Sequence, residues 1–339
     1  MAEIDPWKTR SDEEEADDLF FVEEGDEETA NLKKKEAQDE LKKAGMLLIS
    51  GSEWKEKLKE TLNEAFKDEQ TGKILESDAD TIFESVKKAS KATCLVVRRT
   101  NSKSRLEYLE KMDDHERLKK ARKGKGGTGT GFLLFPRSKF GWLVITNNHV
   151  IMDEEEAKSA EVMFDHLDDD RKANITCFTV KQLVSKDIRT ENAEDFKSLD
   201  FSVLALESDE TEGTNFLKEH AVCRFDDGDA NAICRNETIL RMSGLKFVPI
   251  IAFSHPHGLG KRISIGKYPN KCEKLPESYI RHDLPTTRGS SGANMLYFHP
   301  QSHDKFVFWD STFLHYRHQR AVTWQAIGPV LRKDLSKLK

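Results

Sequence analysis

Three polar residues in this chain sit where polar residues are expensive, and each is of a type that can move a proton or an acyl group. The segment Arg288-Gly289-Ser290-Ser291-Gly292-Ala293 sets a serine on a glycine-flanked turn. Acyl transfer by serine needs an exposed hydroxyl, and backbone N–H groups free to meet a developing oxyanion. A glycine two positions earlier lets the chain turn its own N–H toward the same point. By itself Gly-x-Ser-Gly is also an ordinary turn composition. The run Trp142-Leu-Val-Ile-Thr146-Asn-Asn-His149-Val-Ile151 ends an apolar strand with a histidine. With an unperturbed pKa near ~6.5, such a residue is mostly neutral at pH 7 and fit to act as a general base. In Leu199-Asp200-Phe-Ser-Val-Leu-Ala-Leu206 one carboxylate opens an otherwise apolar strand, a costly placement unless it meets a donor or a cation.

Together the three say more than any one. They run in the order His149, Asp200, Ser291, separated by 51 and 91 residues. That is the order of the chymotrypsin-fold triad; subtilisins run Asp, His, Ser and α/β-hydrolases Ser, Asp, His. Over roughly residues 85–335 the sequence resembles trypsin-like serine peptidases, of the intracellular HtrA type and of the vertebrate nuclear or cytosolic type. Thr128-Gly-Thr-Gly-Phe-Leu-Leu134 resembles the strand ahead of the histidine in that group. Phe253-Ser-His-Pro-His-Gly-Leu-Gly260 resembles its "G-x-P-x-G" turn, and Gln325-Ala-Ile-Gly328 its closing strand.

The resemblance implies an all-β fold of two six-stranded antiparallel β-barrels with a C-terminal helix, Val330–Lys339, and His149 and Asp200 in the first barrel, Ser291 in the second. It implies an acyl-enzyme mechanism without a cofactor, with the N–H groups of Gly289 and Ser291 as oxyanion hole. It also implies a substrate pocket walled by the residues before the nucleophile, Pro285, Thr286 and Arg288, with His315 from a later strand. Pro285 stands at the pocket base, so no acid is there to select Lys or Arg. Ser290 replaces the aspartate that secreted trypsins pair with a newly cut N-terminus, so activation of that type is not expected.

The elements needed to hold these residues are legible as short β-type runs. Examples are Cys94–Arg98, Gly131–Phe135, Trp142–Thr146, Phe201–Leu206, Thr238–Met242, Phe247–Phe253 and Phe306–Trp309. Ahead of them, residues 31–47 and 53–68 are predicted helical; Trp54, Leu58, Leu62 and Phe66 recur every four residues as one apolar stripe. A third helix, Thr81–Ser90, follows the capping candidates Ser77, Asp78 and Asp80. The organisation expected is an acidic tail over 1–30, a helical extension over 31–77 and a peptidase-like domain over 78–339.

Charge divides the chain unevenly. Residues 1–30 hold thirteen Asp or Glu and two Lys or Arg, a net of −11 against −6 for the whole, so the remainder carries +5. Such a tail cannot bury a core and is expected to be disordered, with Phe20-Phe21-Val22 as a candidate docking motif for a partner. Residues 101–125 form a charged, helix-favouring insertion ending in Arg117-Leu-Lys-Lys-Ala-Arg-Lys-Gly-Lys125, six basic residues in nine. The basic stretch 117–125 is expected to be a mobile, solvated loop between the first two strands, with a weaker reading as an import-receptor or nucleic-acid contact.

Five cysteines at irregular spacing contain no C-x-x-C, and Cys94, Cys177 and Cys272 are expected to act as small buried hydrophobes. The absence of an apolar leader and of any long apolar window points to an intracellular, cytoplasmic or nuclear chain with no membrane span. His255, His257, His282, His303, His315 and His318 lack ligand spacing on one element, so no metal is expected. The functional expectation is a serine endopeptidase acting on protein or peptide. Its rivals are a silent scaffold that binds peptides, and an interaction module in the N-terminal region with the barrel as passenger.

Overall fold

In the computed structural model the described residues are 27–65, 69–111, 115–124, 126–134, 141–169, 175–187, 199–208, 212–221, 247–268, 279–301, 305–316 and 320–323. The acidic tail to residue 26, Thr238–Met242, Gln325–Gly328 and the C-terminal segment Val330–Lys339 lie outside them.

Six strands close an antiparallel barrel: β2 (Thr93–Arg98), β3 (Gly127–Leu134), β4 (Leu143–Asn147), β5 (Ala160–Phe164), β6 (Thr176–Asp187) and β7 (Phe201–Leu206), in the order β2-β3-β4-β7-β6-β5. Val96, Leu133, Val144, Val162, Phe164 and Leu204 fill it. In β6 the strand alternates, so Phe178 and Val180 face inward and Cys177 is exposed, against the expectation of a buried thiol. Cys94 is buried, and burial pushes its thiol up, as for an inert side chain.

The second half is a seven-stranded antiparallel sheet. It runs β1 (Leu47–Leu48), β9 (Arg262–Tyr268), β8 (Val248–Ser254), β11 (Asn294–Gln301), β12 (Lys305–Tyr316), β13 (Arg320–Thr323) and β10 (Tyr279–Arg281). Among the described residues the first barrel is closed, and the second half presents a seven-stranded sheet.

The N-terminal helices are built into this second half. Helix α1 spans Glu27–Ala44, α2 Glu53–Ala65 and α3 Glu69–Lys91. The stripe Trp54, Leu58 and Leu62 packs with Ile82, Val86 and Ala89 of α3 on Ile251, Phe253, Ile263 and Leu296 of the sheet. Trp54 meets Phe83 edge-on at 5.5 Å and donates its indole N–H to Ile49 O at 3.1 Å. Phe66 lies outside the described residues. Ser77, Asp78 and Asp80 fall inside α3, which begins at Glu69; they sit mid-helix because the apolar face of the helix, not local capping, fixes its length. Lys261, buried beside β9, donates its ammonium to Ser90 O near the end of α3 at 2.8 Å. Burial draws that ammonium down to about 8, against the opposing pull of Asp165 and Cys94.

The basic insertion is not a solvated loop. Between β2 and β3 it folds as two helices, α4 (Lys103–Lys111) and α5 (His115–Arg122), which bury Leu109, Leu118 and Ala121 against one another. The apolar residues spaced along the charged segment supply the face that pattern reading overlooked. Of Arg117–Lys125, the stretch to Arg122 is helical and Lys125 lies outside the described residues. Two short elements complete the frame: α6 (Glu154–Lys158), capped by the Asp153 side chain accepting from Glu156 N–H, and α7 (Glu212–His220). Among the described residues no helix is long and apolar enough to cross a membrane.

Candidate active site

Register brings the first two candidates together. Strands β4 and β7 pair antiparallel with Thr146 opposite Ser202 and Asn147 opposite Phe201. The residue just past the end of β4 therefore meets the residue just before the start of β7. Asn148 and Asp200 occupy those places, and His149 follows one residue on. The Asp200 carboxylate, fully buried, takes His149 Nδ1 at 2.6 Å on Oδ2 and the His149 backbone N–H at 2.9 Å on Oδ1. With Nδ1 engaged by a carboxylate, the neutral imidazole keeps its lone pair on Nε2, the nitrogen that can accept a proton.

Asp200 itself sits at φ +44°, a left-handed conformation that Asp tolerates better than most residues. It is held there by its own carbonyl, which accepts Asn148 N–H at 3.0 Å and Asn147 Nδ2 at 2.8 Å. Asn148 also donates from its amide to Ser202 Oγ at 3.0 Å. The two asparagines, read in the sequence only as a polar pair, thus fix the aspartate.

The third candidate comes from the other half. Ser290 N–H donates to Thr287 O and Ala293 N–H to Ser290 O, which closes the turn. Gly289 and Gly292 lie at φ +82° and +87°. Among the described residues the N–H groups of Gly289 and Ser291 have no protein partner, the state an oxyanion hole requires. Thr130 of β3 stitches the turn to the barrel. Its N–H donates to Ser291 O at 2.8 Å and its hydroxyl to Gly289 O at 2.8 Å. The same hydroxyl accepts His255 N–H at 2.9 Å, and Thr146 Oγ1 donates to Thr130 O at 2.7 Å. Thr146 is three residues before His149, so one hydrogen-bonded chain runs from the serine turn to the histidine strand. Ser291 Oγ makes no hydrogen bond to His149 among the described residues; in ligand-free sites such contacts are often long and tighten only with substrate.

The two serines are not equivalent. Ser290 is fully buried, its hydroxyl toward Ser254 Oγ at 3.5 Å, whereas Ser291 is half-buried. Of the expected pocket residues, Pro285, Thr286 and Arg288 are half-buried along the approach to the turn, and Arg288 O accepts His257 N–H at 2.7 Å. His315 lies on β12 opposite Ala321, next to Leu314, which pairs with Asn294 just after the turn. Its side chain is outside the described residues.

Sequence reading missed a contact from far upstream. Glu40 of α1 accepts the Thr287 hydroxyl at 2.5 Å and lies 3.3 Å from His257 Nε2. Of the histidines weighed for metal, His255 meets Leu259 O through Nδ1 at 3.1 Å and stacks 5.8 Å from the ring of His166, whose Nε2 meets Gly258 O at 3.3 Å. Burial, with Lys261 and His166 adding to it, holds His255 well below the ordinary histidine range. His303 and His318 lie outside the described residues.

Behind His149 lies a buried ionic group that no motif announced. Glu156 has its carboxylate between Arg105, at 2.6 Å, and Arg98, at 3.8 Å. Burial pushes that carboxyl up, but the two guanidiniums and the hydrogen bonds from Arg105 and from Met152 N–H overcome it and leave Glu156 at about 2. A depressed carboxyl stabilises the fold fully above its unfolded value of 4.5 and loses that contribution as pH falls toward 2. Melting temperature is therefore expected to fall between pH 4.5 and 2, and a Glu156→Gln variant to show a shallower fall over that window. Equal slopes in the two proteins would place the acid sensitivity elsewhere.

Residues 129–296 match the trypsin-like peptidase domain family. The uncharacterized protein y4fB of Sinorhizobium fredii (strain NBRC 101917 / NGR234) is 28% identical over 171 residues, 49% of this chain. The match spans only 23% of that protein's length. Among solved structures, Deg5 aligns with a TM-score of 0.42 at 15% identity, covering 74% of this chain and 92% of its own. The HtrA-type protease AlgW with tripeptide aligns at 0.40 and 14%, covering 75% and 64%.

Proposed function

Because the chain carries a trypsin-like peptidase domain over residues 129–296, we propose that it is a serine endopeptidase with His149, Asp200 and Ser291 as its triad. The observation that carries the reading is the Asp200 carboxylate, buried and engaging both the backbone N–H and Nδ1 of His149. A buried carboxylate aimed at one face of an imidazole leaves the other face basic, and stabilises the imidazolium that forms when Nε2 takes a proton.

In this reading Ser291 Oγ attacks the scissile carbonyl as His149 Nε2 takes its proton. The oxyanion meets the N–H groups of Gly289 and Ser291. His149 then hands the proton to the departing amine, and an acyl-enzyme on Ser291 is left. Water, deprotonated by His149, releases the carboxylate product. Side chains and backbone amides carry every step. Pro285, Thr286, Arg288 and His315 would contact the residue ahead of the cleaved bond, and Pro285 gives no carboxylate to favour Lys or Arg there.

A silent peptide-binding scaffold is the second reading, favoured by the missing Ser291–His149 hydrogen bond. A fluorophosphonate probe separates the two, since it reacts only with an activated serine. The expected result is a single covalent adduct, mapped by peptide mass spectrometry to Ser291. No adduct on the folded protein would support the scaffold and sink the enzyme.

A further inference from the structure

We infer that Arg105, from the helical insertion between the first two barrel strands, is a positioning residue for His149, with Glu156 as its buried counter-charge; the inference rests on the triad reading. Arg105 is buried, and its guanidinium forms a two-pronged bond with Glu156, Nε to Oε1 at 2.6 Å and Nη2 to Oε2 at 2.9 Å. The same Nη2 donates to His149 O at 2.9 Å and to Val150 O at 3.2 Å. Arg98 donates a second bond to Val150 O at 2.7 Å, and Glu156 Oε2 accepts Met152 N–H at 2.8 Å. The backbone just after the imidazole is therefore caged by charged groups.

His149 is thus gripped from both ends. Asp200 holds its N–H and ring, and Arg105 holds its carbonyl. Rotation of the peptide between His149 and Val150, the motion that would swing the ring off Asp200, would break the bond from the Arg105 guanidinium to His149 O. Only arginine can hold a carboxylate by two prongs and reach a carbonyl with the same planar group; a lysine ammonium lacks that fork.

A merely stabilising role does not account for the arrangement. Buried ion pairs stabilise a fold little compared with apolar packing of the same volume. The insertion has its own apolar contact through Leu109, Leu118 and Ala121, so the helices do not need Arg105 to stay together. What the ionic group adds is a fixed place for the carbonyl of one residue, and that residue is the general base.

The test uses the full chain in three forms: Arg105→Lys, Arg105→Met, and Arg105→Met with Glu156→Gln. The double variant removes Arg105 and its carboxylate partner together, so no uncompensated carboxylate remains buried, while Arg98 keeps its bond to Val150 O. Two readouts are taken on folded protein: kcat and KM on a peptide substrate, and the low-field Nδ1–H resonance of His149. Misplacement of a reacting group by about 1 Å can cost roughly a hundredfold, so the double variant is expected to lose about tenfold to a hundredfold in kcat with KM within about twofold. Its His149 resonance should shift or broaden, and Arg105→Lys should fall between the double variant and wild type. Wild-type kcat together with an unchanged resonance in the folded double variant would overturn the inference. If the wild-type protein turns over no peptide, the peptidase reading fails, and the resonance alone still decides whether Arg105 positions the ring.

Discussion

Ser291→Ala is expected to lower kcat/KM by on the order of 10⁶, while Ser290→Ala stays within about tenfold of wild type. The first figure follows from triads in which loss of the nucleophile costs about as much as loss of all three members. What remains, roughly 10³–10⁴ over water, is the contribution of the oxyanion N–H groups and substrate binding. The contrast between neighbours comes from the turn itself. Ser290 is fully buried with its hydroxyl toward Ser254 and Thr287, whereas the half-buried Ser291 is flanked by the two N–H groups without protein partners. Steady-state kinetics on the two folded variants decide the matter. Loss of turnover in Ser290→Ala with activity kept in Ser291→Ala would move the nucleophile by one residue.

Gly292→Ala is expected to cost more than about 4 kcal/mol of stability, which is exceptional for one methyl group. Its φ of +87° already disfavours any side chain. A Cβ there would also stand 1.9 Å from Thr130 O and 2.6 Å from Thr146 Oγ1. The first of these is backbone of β3, locked in the barrel ladder, and cannot move aside without opening the contact between the two halves. Gly141→Ala is the control. It has a similar φ of +75° but nothing within 4 Å of the added carbon, so only the conformational cost of about 1–2 kcal/mol applies. Denaturant melts of both variants measure the difference. Similar midpoints for the two would show that the turn at Ser291 is not wedged against the barrel.

The triad candidates were legible because each breaks an apolar run: a histidine after Trp142–Thr146, an aspartate before Phe201–Leu206, a serine among glycines. An interruption of that kind is costly and therefore informative in one dimension. Thr130, Glu40, Arg105 and Glu156 carry no such mark. Each is an ordinary residue in its own segment and becomes significant only through a partner 51 to 247 positions away. Strand β6 shows no continuous apolar run because only four of its twelve residues are buried, and β9 none because Arg262 and Lys267 open and nearly close it. The reverse error occurred only in the basic stretch of α5, where the density of charge hid Leu118 and Ala121. The stripe of α2 was read correctly as an apolar face, but not what it packs against.

The docking of α1 also sets an order of events during synthesis. Glu40 meets Thr287 across 247 residues, and β1 pairs only with β9. At about 5–20 residues per second a ribosome needs roughly 12–50 s to span that gap. Through that interval α1, α2 and the apolar face of Trp54, Leu58 and Leu62 emerge without their sheet. The closed barrel, drawn from residues 93–206 alone, has every strand it needs much sooner. The nascent chain is therefore a finished barrel with an unplaced helical segment ahead of it. The half that bears Ser291 is assembled after the barrel, so the growing chain carries a closed barrel before it carries the turn at Ser291.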